Sequence, residues 1–263
     1  MTVGAGIPWR TLLLAAALAT PWPCGAGGNF TNSLGQVFVP VPGTSVLFCI
    51  WDTRVKDYQA FLAESHRPWT KPDYPQGPDH PVVNVSWNDA QAFCFWLTQK
   101  EHETGLLRSN QSYHLPTDAE WSVAAGLTNE PRGTPAEKHR RVAGVYPWGR
   151  GWPPPKGAGN FADATLVAKK KDNYDVIESY NDGYADTSPV GAFAANRLGL
   201  FDMGGNVWQW CDDWYDPTHH GRVIRGGSCV SNPGMLLLSW RNNLTPAHSY
   251  PYLGFRCVLL SPR

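Results

Sequence analysis

The stretch from Tyr146 to Asn206 is broken at short intervals by Gly, Pro, Asn and Asp, in Tyr146-Pro-Trp-Gly149, Trp152-Pro-Pro-Pro155, Gly159-Asn160, Tyr180-Asn-Asp-Gly183 and Met203-Gly-Gly-Asn206. Proline removes a backbone donor and glycine and Asx residues favour turns, so neither a long helix nor a central strand can run through it. Such a segment cannot hold itself together by backbone ladders. Its buried carbonyl and N–H groups must find side chains, water or a bound cation. The whole chain leans the same way, with 26 Gly and 23 Pro in 263 residues alongside 13 Trp. The expectation is a loop-rich fold pinned by buried indoles.

Charge narrows the class. Lys and Arg number 22 and Asp and Glu number 22, so no global field recruits nucleic acid or an anionic membrane. Hydrophobic residues at 42% are ample for a packed core and too many for a disordered chain. At the start, Arg10 precedes an apolar run over residues 11–19. That run is too short for a bilayer of about 30 Å and reads as a secretory signal, with a short buried helix as the other reading. Ala17 and Ala19, or Cys24-Gly25-Ala26, offer cleavage points. Residues 1–26 are therefore read as signal peptide and short linker and 27–263 as one domain, exported to the periplasm or secreted. No later segment is apolar enough to span a membrane. The six cysteines, at 24, 49, 94, 211, 229 and 257, form no C-x-x-C pair and no zinc spacing with histidine. Disulfides are compatible with a chain of this size but not required by it.

Local patterns place the elements. Val37–Val41 reads as the first strand, Val46–Trp51 as a second apolar run, and Asp52-Thr53 as the cap of an amphipathic helix bearing Val55, Tyr58 and Leu62. Ser86 and Asp89 form a capping box opening a helix to about Glu103, with Ala90, Phe93 and Leu97 as its buried stripe. Thr117 and Glu120 repeat the device ahead of Trp121, Ala124 and Ala125. Lys138-His-Arg-Arg141 reads as a solvated loop, His219-His220 as a surface turn, and Leu236-Leu-Leu238 as a buried strand. Oxygen-rich, glycine-bent segments recur at Gly159-Asn160-Phe161, 180–186 and 201–210. Calcium accepts that mixture of carboxylates and carbonyls, although Asx-Gly pairs also make plain turns.

The ordered succession His80-Pro-Val-Val-Asn-Val-Ser-Trp-Asn-Asp-Ala90, Leu115-Pro-Thr-Asp-Ala-Glu-Trp121, Tyr146-Pro-Trp-Gly149, Gly199-Leu-Phe-Asp-Met-Gly-Gly-Asn-Val-Trp-Gln-Trp210, Arg225-Gly-Gly-Ser228 and Gly254-Phe-Arg-Cys257 resembles the formylglycine-generating enzyme family, the sulfatase-modifying factors. The resemblance implies an irregular α+β single domain of C-type-lectin-like topology, low in regular secondary structure and stabilised by calcium. It implies one Ca²⁺ held by the Asn160 side chain, the Phe161 carbonyl, the Asp182 side chain and the Tyr184 carbonyl. A second would use Asp202, the Gly205 and Val207 carbonyls and Gln209. Gln209 replaces the usual carboxylate and loses a charge, so this second site is expected to be weaker or empty.

The family's oxidation of a substrate cysteine uses a cysteine pair just after Gly-Gly-Ser that binds copper(I), for which thiolates are natural soft ligands. Here only Cys229 follows Ser228, where the family has an aromatic residue. Ser228 and Cys229 are the remaining catalytic candidates, but an isolated cysteine is equally a small apolar filler, and copper is not expected. Cys94, Cys211 and Cys257 read as core. The leading reading is a binding or scaffold protein that engages a peptide, protein or glycan in a C-terminal loop cleft beside 228–241 and 245–252, with Trp240, Tyr250 and Tyr252 as contacts. The alternative is an oxidoreductase acting on sulfatase-type C-x-P-x-R peptides, or another metal-dependent oxidation, through a non-standard site.

Overall fold

A computed structural model describes Met1, residues 28–170 and residues 173–261. The signal-like segment, its cleavage points and Cys24 lie outside the described residues. The strands are β1 (Phe30–Thr31), β2 (Val37–Pro40), β3 (Val46–Cys49), β4 (Ser112–His114), β5 (Trp208–Trp214), β6 (Arg222–Arg225), β7 (Asn242–Leu244), β8 (Leu253–Gly254) and β9 (Val258–Leu260). The helices are α1 (Val55–Ser65), α2 (Trp87–Glu103), α3 (Asp118–Ala125), α4 (Pro135–Lys138) and α5 (Ala164–Lys170). One sheet runs β1-β2-β3-β9-β4, all antiparallel. The other runs β7-β6-β5-β8, with only the β5–β8 pair parallel. Short strands, few helices and long loops make this an α+β fold low in regular structure. Among the described residues no helix is long and apolar enough to cross a membrane.

Both capping boxes form as the sequence requires. Ser86 Oγ accepts the Asp89 N–H at 3.1 Å and Thr117 Oγ1 accepts the Glu120 N–H at 3.1 Å. The stripe of α2 follows, with Ala90, Phe93 and Leu97 fully buried. Indoles knit the loops to this frame: Trp69 donates to the Val83 carbonyl at 2.8 Å, Trp87 to Cys211 at 3.1 Å and Trp210 to Val85 at 3.0 Å. Five cysteines, at 49, 94, 211, 229 and 257, are buried free thiols. Cys94 Sγ on α2 lies 3.6 Å from Cys257 Sγ.

Several local expectations need correction. Val37–Pro40 is the second strand, because Phe30 and Thr31 pair onto it. The α1 cap is Arg54, not Asp52 or Thr53: Asp57 reaches back to the Arg54 N–H at 3.0 Å, while Asp52 turns into the interior. The loop after Gly149 is interrupted by α5, whose first N–H groups are taken by Asp163 Oδ1, from Thr165 at 2.7 Å and Leu166 at 3.3 Å. Leu236 and Leu238 are buried, but Leu236 ends a 3₁₀ turn, Pro233–Leu236, and neither lies in a strand. His219-His220, by contrast, is exposed as expected of a surface segment, with His219 stacked on Trp214.

The largest correction concerns Lys138, which is buried at the end of α4 and pairs with Asp118 and Glu130. Asp118 is 1% exposed and also receives Arg225 Nη1 and, at 2.8 Å, Arg241 Nε. Arg241 in turn meets both oxygens of Glu130, at 2.6 and 2.7 Å. Burial alone would raise the Asp118 carboxyl, but Arg225 and Arg241 outweigh it and hold the group well below the usual carboxylate range. This ion cluster fastens α3 to the end of β6, immediately before Gly226-Gly227-Ser228. A depressed folded-state pKa means stability that is present above about pH 4, the unfolded value, and lost as pH falls toward the folded one. Asp118→Asn is therefore expected to cost about 3–5 kcal/mol in urea denaturation at neutral pH, because the buried Arg225 guanidinium loses its ion-pair partner and Arg241 and Lys138 each keep only Glu130. The variant should also lack part of the wild-type acid sensitivity below about pH 4. A variant within 0.5 kcal/mol of wild type, that is, about the scatter of surface substitutions, would contradict this role.

Candidate functional site

Three loops without regular structure converge on Asn206, which is fully buried with φ 56°. Its Oδ1 accepts the Ser188 N–H at 3.0 Å and the Asn160 Nδ2–H at 3.3 Å, and its Nδ2 donates to the Ser188 carbonyl at 3.2 Å. Its backbone N–H donates to the Asn160 carbonyl at 2.8 Å, and its carbonyl accepts the Cys229 N–H at 3.0 Å. Gly205 beside it has φ 77°, and a Cβ there would sit 2.3 Å from the Asn160 carbonyl oxygen. Only glycine permits that approach. The segments 159–161, 186–188 and 228–229 are thus fixed against one another by the side chain and backbone of one asparagine and by one glycine.

The first expected cation cluster is drawn together. Asp182 accepts the Phe161 N–H at 2.8 Å through Oδ2 and the Tyr184 N–H at 2.8 Å through Oδ1. Asp163 Oδ2 in turn accepts the Asp182 N–H at 2.5 Å. Asn160 is fully buried, and its Oδ1 has no hydrogen-bond partner while its Nδ2 is held by Asp186 and Asn206. Burial pushes the Asp182 carboxyl up to about 7, against the Tyr184 and Phe161 N–H bonds and with Asp163 adding repulsion. An orphaned buried amide oxygen and a desolvated carboxylate on adjoining loops are two costs that a hard cation relieves together. The residues fit the ion. Among the described residues no group of three or more His, Cys, Asp or Glu is placed to hold a metal, so such a site depends on amide and carbonyl oxygens.

The second expected cluster folds differently. Gln209 Oε1 accepts the Trp121 Nε1–H at 2.9 Å and the Arg256 Nε–H at 3.4 Å, and its Nε2 donates to the Asp202 carbonyl at 2.7 Å. Indole and guanidinium are obligate donors and a carbonyl is an obligate acceptor, so the amide has one orientation only. Both lone pairs of Oε1 are used. As folded, Gln209 offers nothing to a cation, and its own N–H joins 209 to 202. Asp202 Oδ2 accepts the Gly191 N–H at 3.0 Å, whereas Oδ1 has no partner. A cavity of about 20 Å³ borders Asp202, room for a single water.

Ser228 and Cys229 are sealed. Ser228 is fully buried, its Oγ 3.0 Å from Ser231 Oγ, and Cys229 is 1% exposed under Tyr74, Val83, Val207 and Tyr252. Burial, with Asp186 and Asp182 nearby, pushes the Cys229 thiol well above the ordinary cysteine range. A buried neutral thiol is a filler, not a nucleophile. Of the other contacts expected, Tyr250 and Tyr252 lie together with ring centroids 5.8 Å apart, whereas Trp240 packs on His139 and under Arg140.

Sequence reasoning missed two groups. Asp52 is fully buried with neither oxygen hydrogen-bonded and Arg256 Nη2 at 3.5 Å; burial pushes its carboxyl up to about 8 despite that cation. Lys170, Asp186 and Tyr74 gather around Tyr252. Both sets join residues far apart in sequence, and no short-range pattern marks them.

The chain matches the family model for the sulfatase-modifying factor enzyme 1-like domain over residues 36–260. It is 31% identical over 245 residues to the formylglycine-generating enzyme of Thermomonospora curvata, covering 82% of this chain and 68% of that one. It is 33% identical over 187 residues to the inactive C-alpha-formylglycine-generating enzyme 2 of Mus musculus, covering 68% of this chain and 48% of that one. The chain thus spans about half the length of that mammalian relative. In structure it resembles PvdO from Pseudomonas aeruginosa, with TM-score 0.62 and 20% identity over 89% of this chain and 98% of that one, a likeness of fold alone. With the family model running from β2 into β9, and the motif order of the sequence preserved between them, the chain belongs to the sulfatase-modifying factor, or formylglycine-generating enzyme, family, as a member without the cysteine pair.

Proposed function

We propose that this chain is an exported, calcium-stabilised binding domain in which the family's fold is kept and its cysteine-pair oxidation is not. The observation that carries this reading is the segment after Gly226-Gly227-Ser228: it holds one cysteine, and that cysteine is closed off with its proton retained. Copper(I) chemistry asks for exposed thiolates, and a single buried thiol supplies none. The relative named as inactive gives the reading a precedent within the family. A ligand, whether peptide, protein or glycan, would meet the C-terminal loop surface around Tyr250 and Tyr252. Loops positioned by a rigid frame are where recognition usually sits.

Calcium at Asn160, Phe161, Asp182 and Tyr184 would supply fixed positive charge, neutralising Asp182 and satisfying Asn160 Oδ1. The chain's own residues then do the rest: Asn160 Nδ2 holds the Asp186 carbonyl at 2.9 Å, so order at the cation loop passes to the cleft. A single ion is proposed, because the Gln209 amide already closes the 202–209 loop. Export rests on Arg10 and the apolar run that follows it.

Two measurements follow. Incubating the protein with a C-x-P-x-R peptide, copper(I) and oxygen should leave the peptide mass unchanged; aldehyde formation that disappears in Cys229→Ala would establish the oxidoreductase alternative instead. Calcium at a hundredfold excess over its dissociation constant should raise the melting temperature by roughly 5–10 °C over the chelator-treated protein. Asp182→Asn should lose most of that increment. An unchanged melting curve after chelation would count against the ion.

A further inference from the structure

The C-terminal cleft already holds a ligand group, and it comes from the chain itself. Lys170, the last residue of α5, places its Nζ 2.5 Å from Asp186 Oδ1 and 2.9 Å from the Tyr252 hydroxyl. The same ammonium lies 5.5 Å from the Tyr74 ring centroid and 5.6 Å from that of Tyr252. Those two rings are stacked, 5.3 Å apart and 7° from parallel, and the Tyr252 hydroxyl itself donates to Asp186 at 2.9 Å. A carboxylate, a phenol oxygen and one aromatic ring, that of Tyr74, therefore converge on one ammonium group, which meets Tyr252 at its hydroxyl edge. Each of these favours a cation, the carboxylate and the phenol oxygen by hydrogen bonding and the Tyr74 ring by its quadrupole.

An ordinary buried ion pair would be closed to solvent, but both side chains of this one are 24% exposed. The pair is therefore not sealed from solvent. Tyr74 and Tyr252 pack on an apolar cluster of Cys229, Val83 and Val207, a low-dielectric backing that strengthens the electrostatic contacts beside it. Tyr74 also forms one wall of a groove of about 370 Å³ bordered by Trp69, Pro72 and Gln76, a volume typical of a ligand site.

We infer that this cage is a receptor for a primary ammonium group carried on an extended chain, the chemistry of a peptide lysine, and that Lys170 occupies it until such a ligand displaces it. The inference rests on reading the C-terminal loops as a binding cleft and names the chemistry recognised there. Lys170 shows that a four-carbon stem delivers the ammonium to Asp186, and the adjoining groove would take the residues flanking a ligand lysine. As a tethered competitor Lys170 acts at an effective concentration in the millimolar range, so it lowers the apparent affinity of any incoming amine.

The test is titration of the full chain with Nα-acetyl-L-lysine amide, followed by NMR or calorimetry, in wild type and Lys170→Ala. The variant should bind at least about tenfold more tightly, since the competing occupant is gone. Nα-acetyl-L-norleucine amide, which has the stem without the charge, should not bind. Glycinamide distinguishes the source of the ammonium: its binding in place of the lysine probe would assign the cage to a peptide N-terminus and keep the ammonium chemistry. Adding Asp186→Asn or Tyr252→Phe to Lys170→Ala should abolish or sharply weaken the response. Should Lys170→Ala be poorly stable, its melting temperature should rise with the lysine probe and not with the norleucine one. Equal response to both, or none to either amine, would overturn the cage. That failure leaves the binding-domain reading standing, whereas aldehyde formation in the peptide assay would remove that reading independently of any amine affinity.

Discussion

The arrangement depends on Asn206, whose side chain and backbone together do for three loops what a strand would do for a sheet. A segment as rich in Gly, Pro and Asx as 146–206 brings no ladder of its own, so its polar groups have to be paired by side chains one at a time. Asn206 pairs with Ser188, Asn160 and, through its carbonyl, the Cys229 N–H. What it does not satisfy is Asn160 Oδ1, and that residual demand, beside a raised Asp182, gives the loops a use for a cation. The proposed cation would in this sense be a consequence of the composition: glycines that let backbones touch leave oxygens that something must meet.

Around this centre the rigid frame is held by two buried networks. Asp118 gathers Arg225, Arg241 and Lys138, and so fixes the base from which Gly226-Gly227-Ser228 departs. Trp121, on the same helix, reaches Gln209, which closes onto Asp202 and receives Arg256. A carboxylate at position 209 would need a counter-charge between itself and Asp202; the amide supplies donor and acceptor in one group. A thiol is sealed under tyrosines, while Tyr250 and, in part, Lys170 and Asp186 face solvent, and on these the proposed recognition role rests.

Short-range devices were legible in the sequence and long-range ones were not. Ser86 with Asp89, and Thr117 with Glu120, act over three residues, so the starts of α2 and α3 follow from the residue pattern alone. Family motifs carried the fold and drew attention to Asn160, Asp182, Asp202 and Gln209. Lys138 was misread as solvated because its partners, Asp118 and Glu130, are brought to it only by tertiary packing. Asp52 reads as a cap from the sequence because nothing local shows that it faces Arg256, a residue that the β3–β9 pairing brings to it. Likewise Gln209 keeps an oxygen on paper, and only the fold reveals that Trp121 and Arg256 have taken it. The Lys170 cage joins positions 74, 170, 186 and 252, and no periodicity links those.

Native mass spectrometry of the full chain, equilibrated with calcium and copper(I) together, reports on the fold's metal economy and on its chemistry at once. The expected spectrum contains one calcium per chain and no retained copper, with the calcium adduct lost in Asp182→Asn. Stoichiometric copper that depends on Cys229 would contradict the reading of this chain as a binding domain, and a protein that takes up no calcium would contradict the role given to its loops.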